Sequence, residues 1–313
     1  MERLKKFVLN YSLWIICALI FIVMGIIKPL FLTLDNIYGL LSAMLSYGVL
    51  ALGLSVALIA GENNISIGSV LAFSGVLFAS VIESVGLTLA FFIAVLACAL
   101  LGLLNGWLVA YKKMPAFLVA VAFMISVRGL ALAVSKSQNI IINNEAFIKI
   151  CNMQLGPIPI LFIVLIAFAL VIDMVLRYTP LGRCLFAVGG NAEVANYCGI
   201  NVQKYKMLAI AFSTVMAGIG GVFLTTRLTS AIPSVGEDAI ITVLPIVVLG
   251  GTSMQGGKGS AIGTLAGLVF MYTLFNLMSM FNIYVNIQSL IKGIVLLSVV
   301  VGGKYIENRN RKI

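Results

Sequence analysis

The sequence predicts an all-α polytopic membrane protein, and its composition, its apolar segments and its distribution of positive charge all indicate this class. Of its 313 residues, 62% are apolar and 10% are charged. Soluble domains carry roughly 25% charged residues, and the mean hydropathy of this chain is +1.15. A water-soluble fold is therefore excluded, and we expect a single transmembrane domain over residues 1–313.

Ten apolar segments follow one another along the chain. Most of them approach the length of about 20 residues that a helix needs to cross the hydrocarbon core. The predicted spans are residues 7–27, 37–60, 70–85, 87–111, 116–133, 158–176, 207–225, 240–249, 261–280 and 285–301. The eighth has about half of the needed length, so it either crosses or re-enters the membrane. We expect about ten transmembrane helices, or eight with two re-entrant pieces.

Positive charge is distributed unevenly among the connections between these segments. If the N-terminus faces the cytoplasm, fourteen of the twenty Lys and Arg residues lie on that side and four lie outside, while Arg128 and Lys292 lie within spans. Cytoplasmic connections of membrane proteins carry such an excess. We therefore expect both termini and residues 177–206 in the cytoplasm, and the polar residues 134–157 outside.

Residues 177–206 are the longest stretch without a membrane-spanning pattern. A Gly-Gly pair just before Asn191 is expected to interrupt the chain, and the Asn191 side chain can accept from the first free N–H groups of a helix. Residues 192–197 can make less than two turns before Gly199 closes the helix in the left-handed conformation. So short a helix is unstable alone in water, which indicates a docking surface for a soluble partner. An ordinary loop with a chance turn fits equally well.

Two Gly/Ser/Asn-rich breaks interrupt apolar sequence, in LIAGENNISIGSVLAFSGVLF and in VVLGGTSMQGGKGSAIGTLAGLVF. Irregular backbone at membrane depth is tolerated where protein or a water-filled cavity satisfies it, and paired breaks indicate the pathway in repeat-built transporters. We expect a parallel internal repeat whose breaks line a pathway, because packing alone does not need Asn63, Asn64 or Gln255. Close packing of small residues is the alternative.

Few ionisable residues lie within or near the spans, and Lys292 is the most informative of them. Charges inside a membrane are costly and usually face a protein interior or a cavity. We expect Lys292 to serve a function or to form a buried ion pair rather than to face lipid. Asp173 and Arg177 are four residues apart and are expected to form an ordinary helical pair.

No pattern in the sequence predicts catalysis. TSMQGGKGS approaches a phosphate-binding loop, but Thr252 stands at the position of its first glycine and Gly259 at that of the hydroxyl residue. Paired catalytic carboxylates and a Ser/His/Asp set are lacking. Histidine is absent, and the five cysteines show no CxxC spacing. The sequence therefore predicts neither a metal site nor a disulfide framework.

Three motifs carry a resemblance to a known family: VVLGGTSMQGGKGSAIGTLAG, TPLGRCLFAVGGNAEVANYCGINV and the connecting RLTSAIPSVGEDA. The chain resembles the permease subunits of bacterial ATP-binding-cassette sugar importers, in the ribose, xylose, galactose and autoinducer-2 branch. The early signature departs from that branch, which usually has a second glycine and an acid where this chain has Glu62 and Asn64. Ser66 and Gly68 match the branch.

The resemblance implies a non-enzymatic translocation subunit of the bacterial inner membrane, surrounded by lipid and paired with a second copy. Separate ATPase subunits would bind the ATP, an extracytoplasmic binding protein would deliver the solute, and neither a cofactor nor nucleic acid would bind this chain. The implied coupling residues are Gly189, Gly190, Asn191, Glu193 and Gly199. The breaks, the intramembrane charge and the resemblance together predict these pathway residues: Asn63, Asn64, Ser66, Gly68, Gly250, Gly251, Thr252, Gly259 and Lys292.

Two other classes of function are compatible with the hydropathy pattern. An ion-coupled secondary transporter fits the spans but leaves the short cytoplasmic helix unexplained, and the chain lacks an obvious carboxylate or histidine relay. A structural or assembly protein of the membrane is the second alternative, and the paired breaks argue against it.

Overall fold

The computed structural model describes residues 2–144, 147–148, 153–155 and 158–310, and most of them are helical. Residues 311–313 of the predicted basic tail lie outside the described residues. The helices in chain order are α1 (Glu2–Ile27), α2 (Leu34–Ile59), α3 (Ile67–Val85), α4 (Leu87–Ala110), α5 (Ala116–Ser135), α6 (Ile160–Tyr178), α7 (Pro180–Gly190), α8 (Ala192–Tyr197), α9 (Val202–Leu228), α10 (Ala239–Leu249), α11 (Ala261–Met280) and α12 (Val285–Asn310).

Seven of the described helices are long and apolar enough to cross a membrane, namely α2, α3, α4, α5, α6, α9 and α11. Three shorter apolar helical segments accompany them, Leu13–Ile27, Ala239–Leu249 and Asn286–Ser298. All ten predicted spans thus coincide with apolar helices, while the number of crossings stays a prediction. With 11 residues, α10 is about 16 Å long and is too short to cross a core of about 30 Å by itself.

The centre of the bundle is formed by α2, α3 and α9. In the most apolar windows of these three helices, 83%, 72% and 72% of the residues are buried, against 22%, 22% and 28% in α4, α5 and α6. On α4, the exposed side chains Leu89, Phe92, Leu96 and Leu100 follow each other at helical spacing. They form one apolar face, which is the face that lipid acyl chains can cover.

The two helices that lead into the breaks run in the same direction. Asn36 near the start of α2 exchanges hydrogen bonds with Asn276 near the end of α11. Gly250 at the end of α10 packs against Gly263 near the start of α11. Both α2 and α10 are therefore antiparallel to α11 and parallel to each other, as a parallel repeat requires.

Two short antiparallel sheets lie in the connections that are predicted to face outside. Strand β1 (Ile140–Ile141) pairs with β4 (Ser230–Ala231), and β2 (Gln154–Leu155) pairs with β3 (Ile158–Pro159). Phe147 is buried against Phe78 of α3, with ring centroids 5.6 Å apart. Residues 145–146, 149–152 and 156–157 of the predicted loop 134–157 lie outside the described residues.

The predicted cytoplasmic loop, residues 177–206, is largely helical. It contains the end of α6, all of α7 and α8, and the start of α9, which begins at Val202 rather than at the predicted residue 207. The expected interruption at Gly189 and Gly190 is wrong, because both residues belong to the last turn of α7. Glycine weakens a helix interior by only about 1 kcal/mol, so this helix tolerates the pair.

The predicted pair between Asp173 and Arg177 is confirmed. Arg177 Nε lies 2.6 Å from a carboxylate oxygen of Asp173. The other carboxylate oxygen accepts from the backbone N–H of Ile262 at 3.5 Å, so the pair also links α6 to the start of α11.

Candidate functional site

The first break, residues 60–66 between α2 and α3, is organised by the side chain of Asn64. Its amide nitrogen donates to Thr214 Oγ1 of α9 at 3.0 Å. Its carbonyl oxygen accepts from the Ser66 N–H at 3.2 Å and from the Ser66 hydroxyl at 2.7 Å. Asn64 and Ser66 are buried, while Asn63 is exposed. Asn64 thus satisfies polar groups of the break and joins it to α9.

Glu62 forms an ion pair that sequence reasoning missed. Its carboxylate lies 2.6 Å from Lys206 Nζ, and the two side chains are 6% and 27% exposed respectively. Removing one partner of a buried pair is strongly destabilising, because the remaining charge is left uncompensated. The residues are 144 positions apart, so no local pattern signals their contact. Glu62, which stands where the resembled branch usually has a glycine, therefore has an ion-pair partner within this chain.

A cavity of about 360 Å³ lies between the first break and the start of α8. Its lining includes Glu62, Lys113, Ala192 and Lys206. The cavity places the ion pair next to the segment with the predicted coupling residues.

The second break, residues 250–260 between α10 and α11, is held by backbone groups. The Gly257 N–H donates to the Ile59 carbonyl at 2.9 Å, and the Ser253 N–H donates to the Lys258 carbonyl at 3.0 Å. The first of these hydrogen bonds crosses from the second break to the last residue of α2, which directly precedes the first break.

Both breaks begin with the same helix cap. Gly61 has φ +80 and Gly251 has φ +89, the left-handed region that favours glycine. In each cap the glycine N–H donates to the carbonyl three residues back, and the next N–H donates to the carbonyl five residues back. This pair of hydrogen bonds is the Schellman motif. The predicted likeness of the two breaks therefore extends to their local geometry.

A close contact forms where the two breaks meet the end of α7. An added Cβ at Gly189 would overlap the Ile59 carbonyl and would lie 2.8 Å from the Gly257 nitrogen. An added Cβ at Gly256 would lie 2.5 Å from the Gly189 carbonyl oxygen. We call this contact, formed by Ile59, Gly189, Gly256 and Gly257, the glycine junction. It brings Gly189, a predicted coupling residue, against both breaks, whereas the sequence analysis places coupling residues and pathway residues in separate segments.

The short helix α8 has the bounds and caps that the sequence predicts. Asn191 Oδ1 accepts from the Val194 N–H at 3.1 Å, and Gly199 closes the helix at φ +79. Glu193 lies exposed in the first turn. Val194 is 54% exposed and Tyr197 is 87% exposed, so α8 presents uncovered apolar surface beside its carboxylate.

The other predicted pathway residues of the breaks pack closely against protein in this conformation. An added Cβ at Gly68 would overlap the Gly236 carbonyl, and one at Gly259 would lie 2.8 Å from Thr252 Oγ1. Gly250 contacts the first turn of α11. The Thr252 hydroxyl is buried and has no hydrogen-bond partner among the described residues. That these residues line a pathway stays a prediction.

Lys292 lies at the opposite end of α10 from the second break. Its Nζ is 3.1 Å from Asp238 Oδ2 and 5.0 Å from the centroid of the Phe275 ring. The expected ion pair therefore forms, although it is partly exposed rather than buried, because the Asp238 side chain is 54% exposed. The length of α10, about 16 Å, separates Asp238 from Gly250, so the structure does not bring Lys292 to that break.

A helical bundle with capped breaks in two of its apolar segments defines a multi-pass membrane protein of the class that includes transport permeases. Comparison with known proteins is more specific. Residues 36–300 match the family described as branched-chain amino acid transport system / permease component. The chain belongs to this family.

Curated relatives match nearly the whole chain. The ribose import permease protein RbsC of Haemophilus influenzae is 31% identical over 97% of this chain and 96% of its own length. The L-arabinose transport system permease protein AraH of Escherichia coli is 32% identical over 97% and 93%. The L-arabinose ABC transporter permease protein AraH of Azospirillum brasilense is 32% identical over 93% and 86%. No solved structure matches the chain.

Proposed function

We propose that this chain is the membrane-spanning subunit of an ATP-driven importer and forms the translocation pathway for a small sugar-like solute. The named solutes of the relatives above, ribose and L-arabinose, support a sugar. The family description names branched-chain amino acids, but the relatives that match over nearly full length favour the sugar class. Transport proceeds by alternating access, and ATP is hydrolysed by a separate subunit.

The glycine junction is the observation that carries this proposal. The surface of α7 and α8 is the docking site for the ATPase, and Gly189 at the end of α7 touches both breaks. A backbone contact contains no flexible side chain that can absorb a displacement. Each conformation of the ATPase therefore favours one arrangement of both breaks, which is what a population shift requires.

The orientation follows from charge. Lys113 and Lys206 line the cavity beside α8, and Lys258 lies within the second break, which contacts the end of α7. Basic residues collect on the cytoplasmic side, so this end of the bundle faces the ATPase and both termini lie there. Two copies pair around the pathway in the inner membrane, and an extracytoplasmic binding protein delivers the solute from the other side.

Purification and reconstitution test the proposal. The tagged chain, extracted from its own bacterial membrane, is expected to copurify with an ATPase subunit, which mass spectrometry identifies. Proteoliposomes that hold the complex are expected to take up labelled D-ribose or L-arabinose when ATP and the binding protein are present. Uptake by the chain alone, driven by a proton or sodium gradient, would establish the secondary-transporter alternative. ATP-driven uptake of a branched-chain amino acid would retain the subunit role and refute the sugar class.

A further inference from the structure

A cluster of charged and aromatic side chains surrounds the first turn of α10. Asp238 pairs with Lys292, and Lys292 Nζ also lies over the Phe275 ring. The Phe275 ring centroid is 5.6 Å from that of Tyr272, which is 6.5 Å from that of Tyr47. We call these five residues the polar–aromatic site. They come from α2, α11, α12 and the connection before α10, so only the fold brings them together.

The polar–aromatic site lies one to two helical turns inward from the nearest ends of α11 and α12. Lys292 is about 10 Å along α12 from its first residue, and Phe275 is about 8 Å from the last residue of α11. A charge that faced lipid at this depth would be costly. The Asp238 side chain is nevertheless 54% exposed, and that of Lys292 is 20% exposed. The exposed carboxylate therefore faces water or another polar surface.

The connection that carries Asp238 is held in place by contacts just before that residue. The Arg128 guanidinium donates to the carbonyl oxygens of Pro233 and Val235 at 2.6 and 2.7 Å. Gly236 packs against Gly68, which lies just beyond the first break. From Asp238 onward, α10 leads to the second break. The polar–aromatic site is thus connected to both breaks through short, ordered segments.

We propose that the polar–aromatic site binds the sugar during its passage, an inference that rests on the proposed function. A sugar ring presents hydroxyl groups along its edge and C–H groups on its faces. Asp238 accepts hydrogen bonds from hydroxyls, Lys292 donates to hydroxyl oxygens, and the Phe275 ring packs against a C–H face. Binding sites of this composition, largely apolar with a few placed polar groups, are usual for small molecules.

The charge around the site selects a neutral solute. Asp238 and Lys292 form an ion pair at 3.1 Å, so their formal charges cancel within the site. A neutral polyhydroxylated ring can share the Asp238–Lys292 pair without leaving either charge uncompensated. A sugar phosphate would bring its own negative charge close to Asp238.

The experiment uses proteoliposomes that hold the complete complex, with labelled D-ribose and L-arabinose as probes. Asp238→Asn and Lys292→Gln should each lower the uptake rate about tenfold or more, the equivalent of one lost charge-assisted hydrogen bond. ATP hydrolysis stimulated by the loaded binding protein should remain, because the surface of α7 and α8 is unchanged. Glu237→Gln is the matched control, since it removes the neighbouring carboxylate, which forms no ion pair among the described residues.

A charge exchange distinguishes binding from a structural pair. The double variant Asp238→Lys with Lys292→Asp can rebuild the ion pair, but it exchanges the donor and acceptor positions, so uptake should stay low. Full uptake in the double variant, or in both single variants, would overturn the proposal. Loss of the second copy from the Asp238→Asn complex would also overturn it, because Asp238 would then hold the two copies together. If the unmodified complex takes up neither sugar, the proposed function itself fails, whatever the variants do.

Discussion

The two breaks begin with the same glycine cap, but different chemistry stabilises them. In the first break, Asn64 and Glu62 hold the chain to α9 with side-chain hydrogen bonds and an ion pair. In the second break, the Gly257 N–H binds the Ile59 carbonyl, and the backbone itself forms the contact. The first break therefore depends on the side chains of Asn64 and Glu62. The second break depends on glycine, which has no side chain to obstruct the backbone contact. Likeness in sequence therefore does not show how a break is stabilised.

This difference predicts opposite sensitivities. The backbone contacts should be sensitive to added volume, even when no charge changes. The side-chain network of the first break should be sensitive to a change of charge at constant volume. Neighbouring residues provide matched controls for both expectations.

The largest effect is expected from Gly189→Ala. The new methyl group overlaps the Ile59 carbonyl, and overpacking of this kind destabilises by about 3 kcal/mol. Gly190→Ala is the control, because an added Cβ at Gly190 has no neighbour within 4 Å among the described residues. Thermal unfolding in detergent and reconstituted uptake should both be impaired in the first variant and not in the second. Equal behaviour of the two variants would contradict the glycine junction.

Gly68→Ala should have the next largest effect, about 1–3 kcal/mol. Its methyl group overlaps the Gly236 carbonyl and separates the start of α3 from the connection before α10. Gly39→Ala in α2 serves as the control, because its methyl group meets no atom of the described part of the chain within 4 Å. Uptake should be lost at wild-type abundance in Gly68→Ala. Unchanged uptake would show that this approach of α3 to the connection is dispensable.

Asn64→Asp tests the first break at nearly constant volume. The substitution removes the donor to Thr214 Oγ1 and buries a carboxylate, which should cost about 1–3 kcal/mol. The same change at exposed Asn63 should leave the unfolding temperature unchanged. Since an acid is usual at this position in the branch that the sequence resembles, the rate or the solute range of uptake should also change. Identical unfolding temperatures for the two variants would argue against the hydrogen-bond network.

A double-mutant comparison tests the ion pair of the first break. Lys206→Met leaves Glu62 buried without its partner and should lower stability by about 1–3 kcal/mol. Adding Glu62→Gln removes the uncompensated charge, so the double variant should unfold at a higher temperature than Lys206→Met alone. Additive losses would indicate that the two residues act independently.

Glu193→Arg should have the smallest effect on folding. It reverses a favourable interaction with the helix dipole of α8, worth about 0.3–1 kcal/mol, at an exposed position. Expression should be normal, while uptake is lost and the ATPase no longer responds to the loaded binding protein. Asn196→Arg places the same charge near the other end of α8, where the dipole favours it, and controls for charge alone. Full uptake in Glu193→Arg would show that α8 does not couple.

Local signals in the sequence predicted local structure well. Asn191 and Gly199 define both ends of α8, because capping depends on residues next to each other in the chain. The glycine pair in α7 does not break the chain as the sequence predicts, since a glycine needed for close approach looks the same in sequence as one needed for a turn. The ion pair of Glu62 with Lys206 and the polar–aromatic site join residues far apart in sequence. Only the packing of the helices brings these groups together.

The order of synthesis determines when the glycine junction can form. Its members are Ile59, Gly189, Gly256 and Gly257, so the ribosome has passed residue 257 before the contact can close. Chains assemble from the N-terminal side as they emerge, and until then the ends of α2 and α7 are without their common partner. A chain that stops before Gly256 therefore carries the surface of α7 and α8 with no link to the second break. The protein acquires that link only after Gly256 and Gly257 have been synthesised.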